Sequence, residues 1–136
     1  MLQIQTIFHW TLRIIAAIIM LQTLYFKFSG SEESVYIFTQ MNMEPWGRYA
    51  TGIAELIAAL LILYKPTTSI GAFLAIGIMS GAIVSHLLVL GIEVKNDKGL
   101  LFIYALTVWI SALILLWLNR NQVLGILSKL LKKRLP

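Results

Sequence analysis

Apolar residues gather in four long runs, about 7–26, 46–64, 69–91 and 100–118, and the stretches between them are short and polar. A helix needs about 20 mostly apolar residues to cross the hydrocarbon of a bilayer, a length these runs match closely. The pattern predicts an all-α protein, a four-transmembrane-helix bundle folded as a single transmembrane domain over 1–136. Lys65 and Pro66 leave room only for a tight connection, so the second and third spans are expected as antiparallel neighbours. The polar stretch 29–45 reads as a loop with a short turn of helix at 35–41, and Pro45 suits the first turn of the second span, where its missing N–H costs nothing. A polar loop at 93–99 leads to the fourth span. In the tail, 120–136, Leu124, Leu127 and Leu131 share one stripe with Lys129, Lys132 and Lys133 mostly off it, which predicts a short amphipathic C-terminal helix lying on anionic lipid.

The first run is interrupted by Arg13 and qualifies as a span only if the bundle shelters that charge. Read instead as a secretory leader, it would be cut among Ser29, Gly30 and Ser31, but the aromatic run Tyr25, Phe26 and Phe28 is a poor approach to a cleavage site. The third run is rich in small residues. Its Gly77 and Gly81 form a small-xxx-small pair, which lets another helix come close in lipid. A contact inside the bundle is the favoured expectation, and a homodimer or a membrane-protein partner on the same face is the alternative.

Composition sharpens this picture. Of 136 residues, 59% are hydrophobic and 12% charged, against roughly a quarter charged in soluble domains. The formal charge of +5 does not point to nucleic acid, because four of the eleven basic residues are Lys129, Lys132, Lys133 and Arg134, beside the last span. Such a cluster reads as a topology and lipid-headgroup signal. Lys65, Arg120 and this tail share one side with the termini, which are expected in the cytoplasm. The chain has no cysteine, which excludes disulfides, thiolate metal sites and dithiol redox chemistry. His9 has no second ligand nearby, so no metal site is expected, and no intrinsic cofactor.

Candidate chemistry lies in the ionisable residues within or beside the spans. Glu55, near the middle of the second run, costs at least ~2.5 kcal/mol at the bilayer centre and must face other helices, a cavity or a proton. Helical side chains lean towards their own N-terminus. Lys27 and His86 therefore lean down from the outer side and Glu55 leans up towards them, from roughly 13 Å below the outer end of its helix. Arg48 lies within ~20° of Glu55 around that helix, and Tyr104 belongs to a weaker polar stripe on the fourth span. These positions predict an outer-half pocket lined by Lys27, Arg48, Glu55, His86 and Tyr104. Arg13 is an intramembrane charge that leans the other way, about 7 Å from the depth of Glu55, so a pairing of the two stays open. Simpler readings stand beside these: Lys27 and Arg48 as snorkelling cations, His86 as an interfacial histidine, Glu55 as a helix-pairing group, and Trp10, Trp46, Trp109 and Trp117 as packing and interfacial anchors.

The stretch from Tyr25 to Gly30 with its Lys27, the Pro45-Trp46 pair, Gly52-x-x-Glu55 before an aliphatic run, and a small-residue third span closing on Ala82 and His86-Leu87 together resemble the DoxX-like family of four-helix membrane proteins. The resemblance spans roughly 8–118, with Gly52, Glu55 and His86 as its most specific positions. It implies a bacterial cytoplasmic membrane protein, and it implies links to quinone-coupled oxidation or membrane oxidoreductase complexes in some relatives and to receptor assembly in distant ones. Two functions are expected from the residues and the resemblance together. The first is an accessory subunit, not an enzyme on its own, that binds a lipophilic molecule such as a quinone or a lipid and serves a membrane redox system. The alternative is a non-enzymatic assembly factor or structural subunit packing against partner helices. No catalytic residue is assigned.

Overall fold

Backbone polar groups cannot be left unpaired in hydrocarbon, so apolar runs of this length fold as helices that satisfy their own hydrogen bonds. The computed structural model describes residues 2–135. It is all helical among them: α1 (Leu2–Ser29), α2 (Glu32–Gln40), α3 (Trp46–Leu63), α4 (Thr68–Ser85), α5 (Leu100–Leu118) and α6 (Arg120–Lys132). A 3₁₀ turn at Lys65–Thr67 joins α3 to α4, and α4 continues into a π-helical turn at His86–Leu90. Four of these stretches, α1, α3, Lys65–Leu90 and α5, are long and apolar enough to cross a membrane. The chain is an integral membrane protein of four spans followed by a C-terminal helix.

The 28-residue α1 overruns the apolar run 7–26 at both ends. The run marks what lipid tolerates, whereas the helix needs only residues that do not break it, and Gln3, Gln5 and Lys27 do not. The turn expected at 35–41 is a nine-residue helix that starts earlier, at Glu32. Ser31 caps it, its Oγ accepting from the N–H of Ser34 at 3.3 Å, and Glu32 and Glu33 in the first turn complement the helix dipole.

The four spans form a ring in which α1 packs on α3, α3 on α4, α4 on α5, and α5 back on α1. Its centre is built from alanines: Ala16, Ala58, Ala59, Ala72, Ala75 and Ala112 are all fully buried. Small side chains let backbones approach where no hydrophobic effect drives them together. Large apolar residues such as Phe73, Leu88 and Ile103 face outward, towards lipid. The two termini lie at one end of the bundle: Asn119 Nδ2 donates to His9 Nε2 at 2.9 Å. There Gln122 ties α6 to the α3–α4 connection, accepting from Ser69 N at 2.9 Å and donating to Lys65 O at 3.1 Å. The opposite end is closed by α2 and the α4–α5 loop.

Arg13 is fully buried near the terminal end and does not pair with Glu55. Its Nε donates to Ile62 O at 2.8 Å and its Nη2 to Leu63 O at 2.5 Å, and the guanidinium lies 3.8 Å from the centre of the Trp10 ring. These are carbonyls of the last turn of α3, where intrahelical donors run out and the dipole is negative. The depth difference read from the sequence has this outcome: the nearest negative feature is a helix end.

The expectation that Gly77 and Gly81 carry close helix packing inside the bundle is not met. A Cβ on either would meet nothing within 4 Å. The close approach is at Gly71, two turns nearer the terminal end, where a Cβ would fall 2.6 Å from Ile62 N and 2.9 Å from Ala58 O. A backbone contact of that kind follows from which face the glycine occupies, and the spacing of two glycines does not reveal the face. Gly71→Ala is expected to destabilise the bundle by about 1–3 kcal/mol through overpacking against backbone. Gly77→Ala and Gly81→Ala are expected to stay within about 0.5 kcal/mol of wild type in heat-induced unfolding in detergent. Equal losses at all three positions would contradict this assignment.

Candidate functional site: a cavity with buried charge at the α2 end

Between the spans, at the end away from the termini, lies a cavity of about 730 Å³. Its walls come from α1, α3, α4 and α5, and α2 roofs it with Ser34, Ile37 and Phe38. The roof follows from the amphipathic sequence of α2, whose Ser34 and Phe38 are buried against the bundle while Glu32 points out. Of the residues expected to line a pocket, Lys27, Glu55, His86 and Tyr104 all do so.

Glu55 is 4% exposed, and its Oε2 accepts from Lys27 Nζ at 2.7 Å. Thr23, one turn before Lys27 on α1, completes the group. Its Oγ1 lies 3.2 Å from both Lys27 Nζ and Glu55 Oε2, and 2.8 Å from Met20 O. Its single hydrogen goes either to the Met20 carbonyl or to the carboxylate. Among the described residues Glu55 Oε1 has no hydrogen-bond partner, and it is not sealed off, so the carboxylate keeps acceptor capacity on the cavity wall. Thr23 was not singled out in the sequence; its spacing of four from Lys27 is the signal that would have found it.

His86 opens the π-helical turn and is 5% exposed. Gly91 N–H donates to His86 O at 2.8 Å, and His86 Nδ1 lies 2.9 Å from Gly91 O. A carbonyl opposite Nδ1 requires the proton there, so the neutral ring offers Nε2 as an acceptor. Gly91 sits at φ 81°, a left-handed conformation that favours glycine. Phe102 packs edge-on against the imidazole, ring centres 5.6 Å apart.

Arg48 is not on the cavity wall. It is buried at the start of α3, pairing with Glu44 at 2.9 Å one turn back and donating through Nη1 to the carbonyl of Lys27. It shares the Glu55 side of the helix, as its spacing predicts, but a full two turns separate them, and at its level the neighbour is the end of α1. Its role in the geometry is to hold the backbone of Lys27, which positions the ammonium below.

Two further carboxylates lie at the cavity rim, Glu33 on α2 and Asp97 in the α4–α5 loop. Burial alone would push Asp97 up. N–H groups of Val94, Gly99 and Leu101 at 3.0, 2.8 and 3.2 Å, and the nearby His86, hold it below its ordinary value of 3.8. Glu33 is raised above its ordinary 4.5, first by burial and then by the charge of Asp97. Among the described residues no three His, Asp or Glu side chains converge as a metal site.

A model of the DoxX family matches residues 8–93, more than half the chain, and that stretch holds Lys27, Arg48, Glu55 and His86 but not Tyr104. No curated protein and no solved structure matches the chain.

Lys27→Met strands a buried carboxylate and is expected to cost about 3–5 kcal/mol. Adding Glu55→Gln should recover part of it, giving a coupling of about 1–3 kcal/mol in a double-mutant cycle of thermal unfolding. Strict additivity would rule out the pair as a coupled unit. Asp97 gives a pH dependence. Its folded-state value is depressed, so its stabilisation is complete above 3.8 and is lost as pH falls through the folded value. Asp97→Asn lacks that loss, so the gap in unfolding temperature between wild type and Asp97→Asn should narrow on acidification from about pH 7 to pH 3.

Proposed function

The chain belongs to the DoxX family, and we propose that it is a membrane-embedded accessory subunit, not an enzyme on its own, whose cavity binds a lipophilic molecule with a polar head, a quinone. The observation that carries this reading is the placement of the Lys27–Glu55 pair and His86 in the wall of one mostly apolar cavity of about 730 Å³. That volume lies within the roughly 300–1,000 Å³ typical of small-molecule sites, which are apolar with a few placed polar groups.

The chemistry of a quinone head suits this set of groups. A quinone carbonyl is an acceptor, and Lys27 Nζ is the cationic donor on the wall. A quinol hydroxyl is a donor, and Glu55 Oε1 and His86 Nε2 are the acceptors. When a quinone is reduced its oxygens gain charge and take up protons, so a cation and a proton-holding carboxylate favour the reduced product. The chain supplies no electron carrier of its own among its residue types, so electrons come from a redox partner in the membrane. With Lys65, Arg120 and the basic tail on the cytoplasmic side, the cavity sits in the outer half of the bilayer.

Native mass spectrometry with lipid and quinone extraction tests the reading on wild type, Glu55→Gln and His86→Ala. A stoichiometric lipophile on wild type, reduced about tenfold in both variants while the fold persists, is the expected result. An empty bundle in all three, equally stable, would move the function to the assembly of partner helices.

A further inference from the structure

The cavity has a side opening, and its position follows from how α3 and α4 are held together. The two helices are pinned near the terminal end, where Gly71 lies against the backbone of α3 at Ala58 and Ile62. About 1.7 and 2.8 turns further on, Gly77 and Gly81 have open space where a Cβ would be, and both line the cavity and are exposed. Ala50 and Ala54 of α3 line the same edge. Ile78, Ala82 and Ser85, which continue the α3-facing stripe of Gly71, line the cavity too, so the space between α3 and α4 is a slot open at this level and bordered by glycine, alanine, Ser85 and the larger Ile78.

The other sides of the cavity are closed or carry bulk. Trp109 Nε1 donates to Ser80 Oγ at 3.0 Å and bolts α5 to α4. Phe28 lies over Gly52, 3.0 Å from where a Cβ would be, and with the Lys27–Glu55 pair it seals α1 against α3. On the α1–α5 side the wall bears the larger side chains of Gln22, Phe26 and Leu100.

We propose that the slot between α3 and α4 is the lateral passage through which the ligand reaches the cavity from lipid, and the seat of its hydrocarbon tail once bound. This rests on the cavity being a site for a lipophile, and it adds the shape of that molecule: a compact polar head with a linear apolar tail. The head lies among Lys27, Glu55 and His86. The tail leaves past Gly77 and Gly81 into surrounding acyl chains, so the bound molecule is never wholly withdrawn from the membrane. In this arrangement the two glycines serve access, and a methyl at either narrows the slot while an isobutyl group fills it.

The test uses the full chain in lipid nanodiscs and two probes, a benzoquinone bearing a decyl tail and its tail-less parent, with binding followed by quenching of tryptophan fluorescence. The variant is Gly77→Leu/Gly81→Leu, which adds bulk only where space is open; an unchanged unfolding temperature checks its fold. The expected result is a loss of at least about tenfold in affinity for the tailed probe with affinity for the parent unchanged. Gly77→Ala/Gly81→Ala should fall between the variant and wild type. Undiminished binding of the tailed probe by the leucine variant overturns the slot while leaving the cavity reading intact, and so does an equal loss for both probes. Failure of wild type to bind either probe overturns the quinone reading, and the slot inference falls with it.

Discussion

A charge within a bilayer has no water to turn to, and this constraint sets the arrangement of the whole bundle. Arg13, Lys27, Arg48 and Glu55 lie within α1 and α3, and each is matched by something the fold brings to it. Arg13 takes the carbonyl end of α3, Lys27 takes Glu55, and Arg48 takes Glu44 together with the carbonyl of Lys27. Each match crosses between elements or fixes a helix end, so the polar groups set the register of α1 against α3 at both ends of the bundle. Apolar packing alone does this poorly in lipid, where sliding one greasy helix past another changes little.

The same economy explains why there is a cavity. Close packing of α3 on α4 needs a backbone-to-backbone contact, and Gly71 provides it at one level only. Pinned there and held apart at the far end by α2 and the α4–α5 loop, the helices enclose space that small residues do not fill. Lys27, Glu55 and His86 then find room in that space. The void and the Lys27–Glu55 pair share one end of the bundle, whereas Arg13 is buried at the other end against the carbonyls that close α3.

Much of this was legible in the sequence. Hydropathy runs give the four spans, since lipid demands the same thing of every residue along them, and the positions of Lys27, Glu55, His86 and Tyr104 on a common pocket follow from helical direction and depth. What failed did so for a common reason. Gly77 and Gly81 have the spacing of a packing motif, but spacing gives one helix's stripe and not the rotation of that helix in the ring. Arg48 shares the stripe of Glu55, yet its neighbour is decided by where α1 ends. Arg13 found its partner in carbonyl groups, which no residue letter announces. Thr23 joins the site through hydroxyl contacts, Glu33 from the α2 roof and Asp97 from a loop, none of which hydropathy weighs.

The π-helical turn ties these strands together. An α-helix continued through His86 would carry the imidazole on at the ordinary pitch; widening the turn to close on Gly91 puts a carbonyl opposite Nδ1. Such widened turns recur at functional positions because they re-aim a side chain without ending the helix. Gly91 can serve because its left-handed φ directs its carbonyl back at the ring while its N–H closes the turn. The loop beyond is held by Asp97, which accepts from Val94 N within the loop and from Gly99 N and Leu101 N at the start of α5, the helix that carries Phe102 against the same imidazole. His86 is therefore fixed from two sides, by Gly91 in its own turn and by Phe102 from α5, and its remaining nitrogen is left as an acceptor in a cavity whose other fixed groups are a cation and a carboxylate. A histidine serving only as an interfacial anchor needs none of this scaffolding. In the proposed function the same scaffolding presents a single nitrogen in one direction.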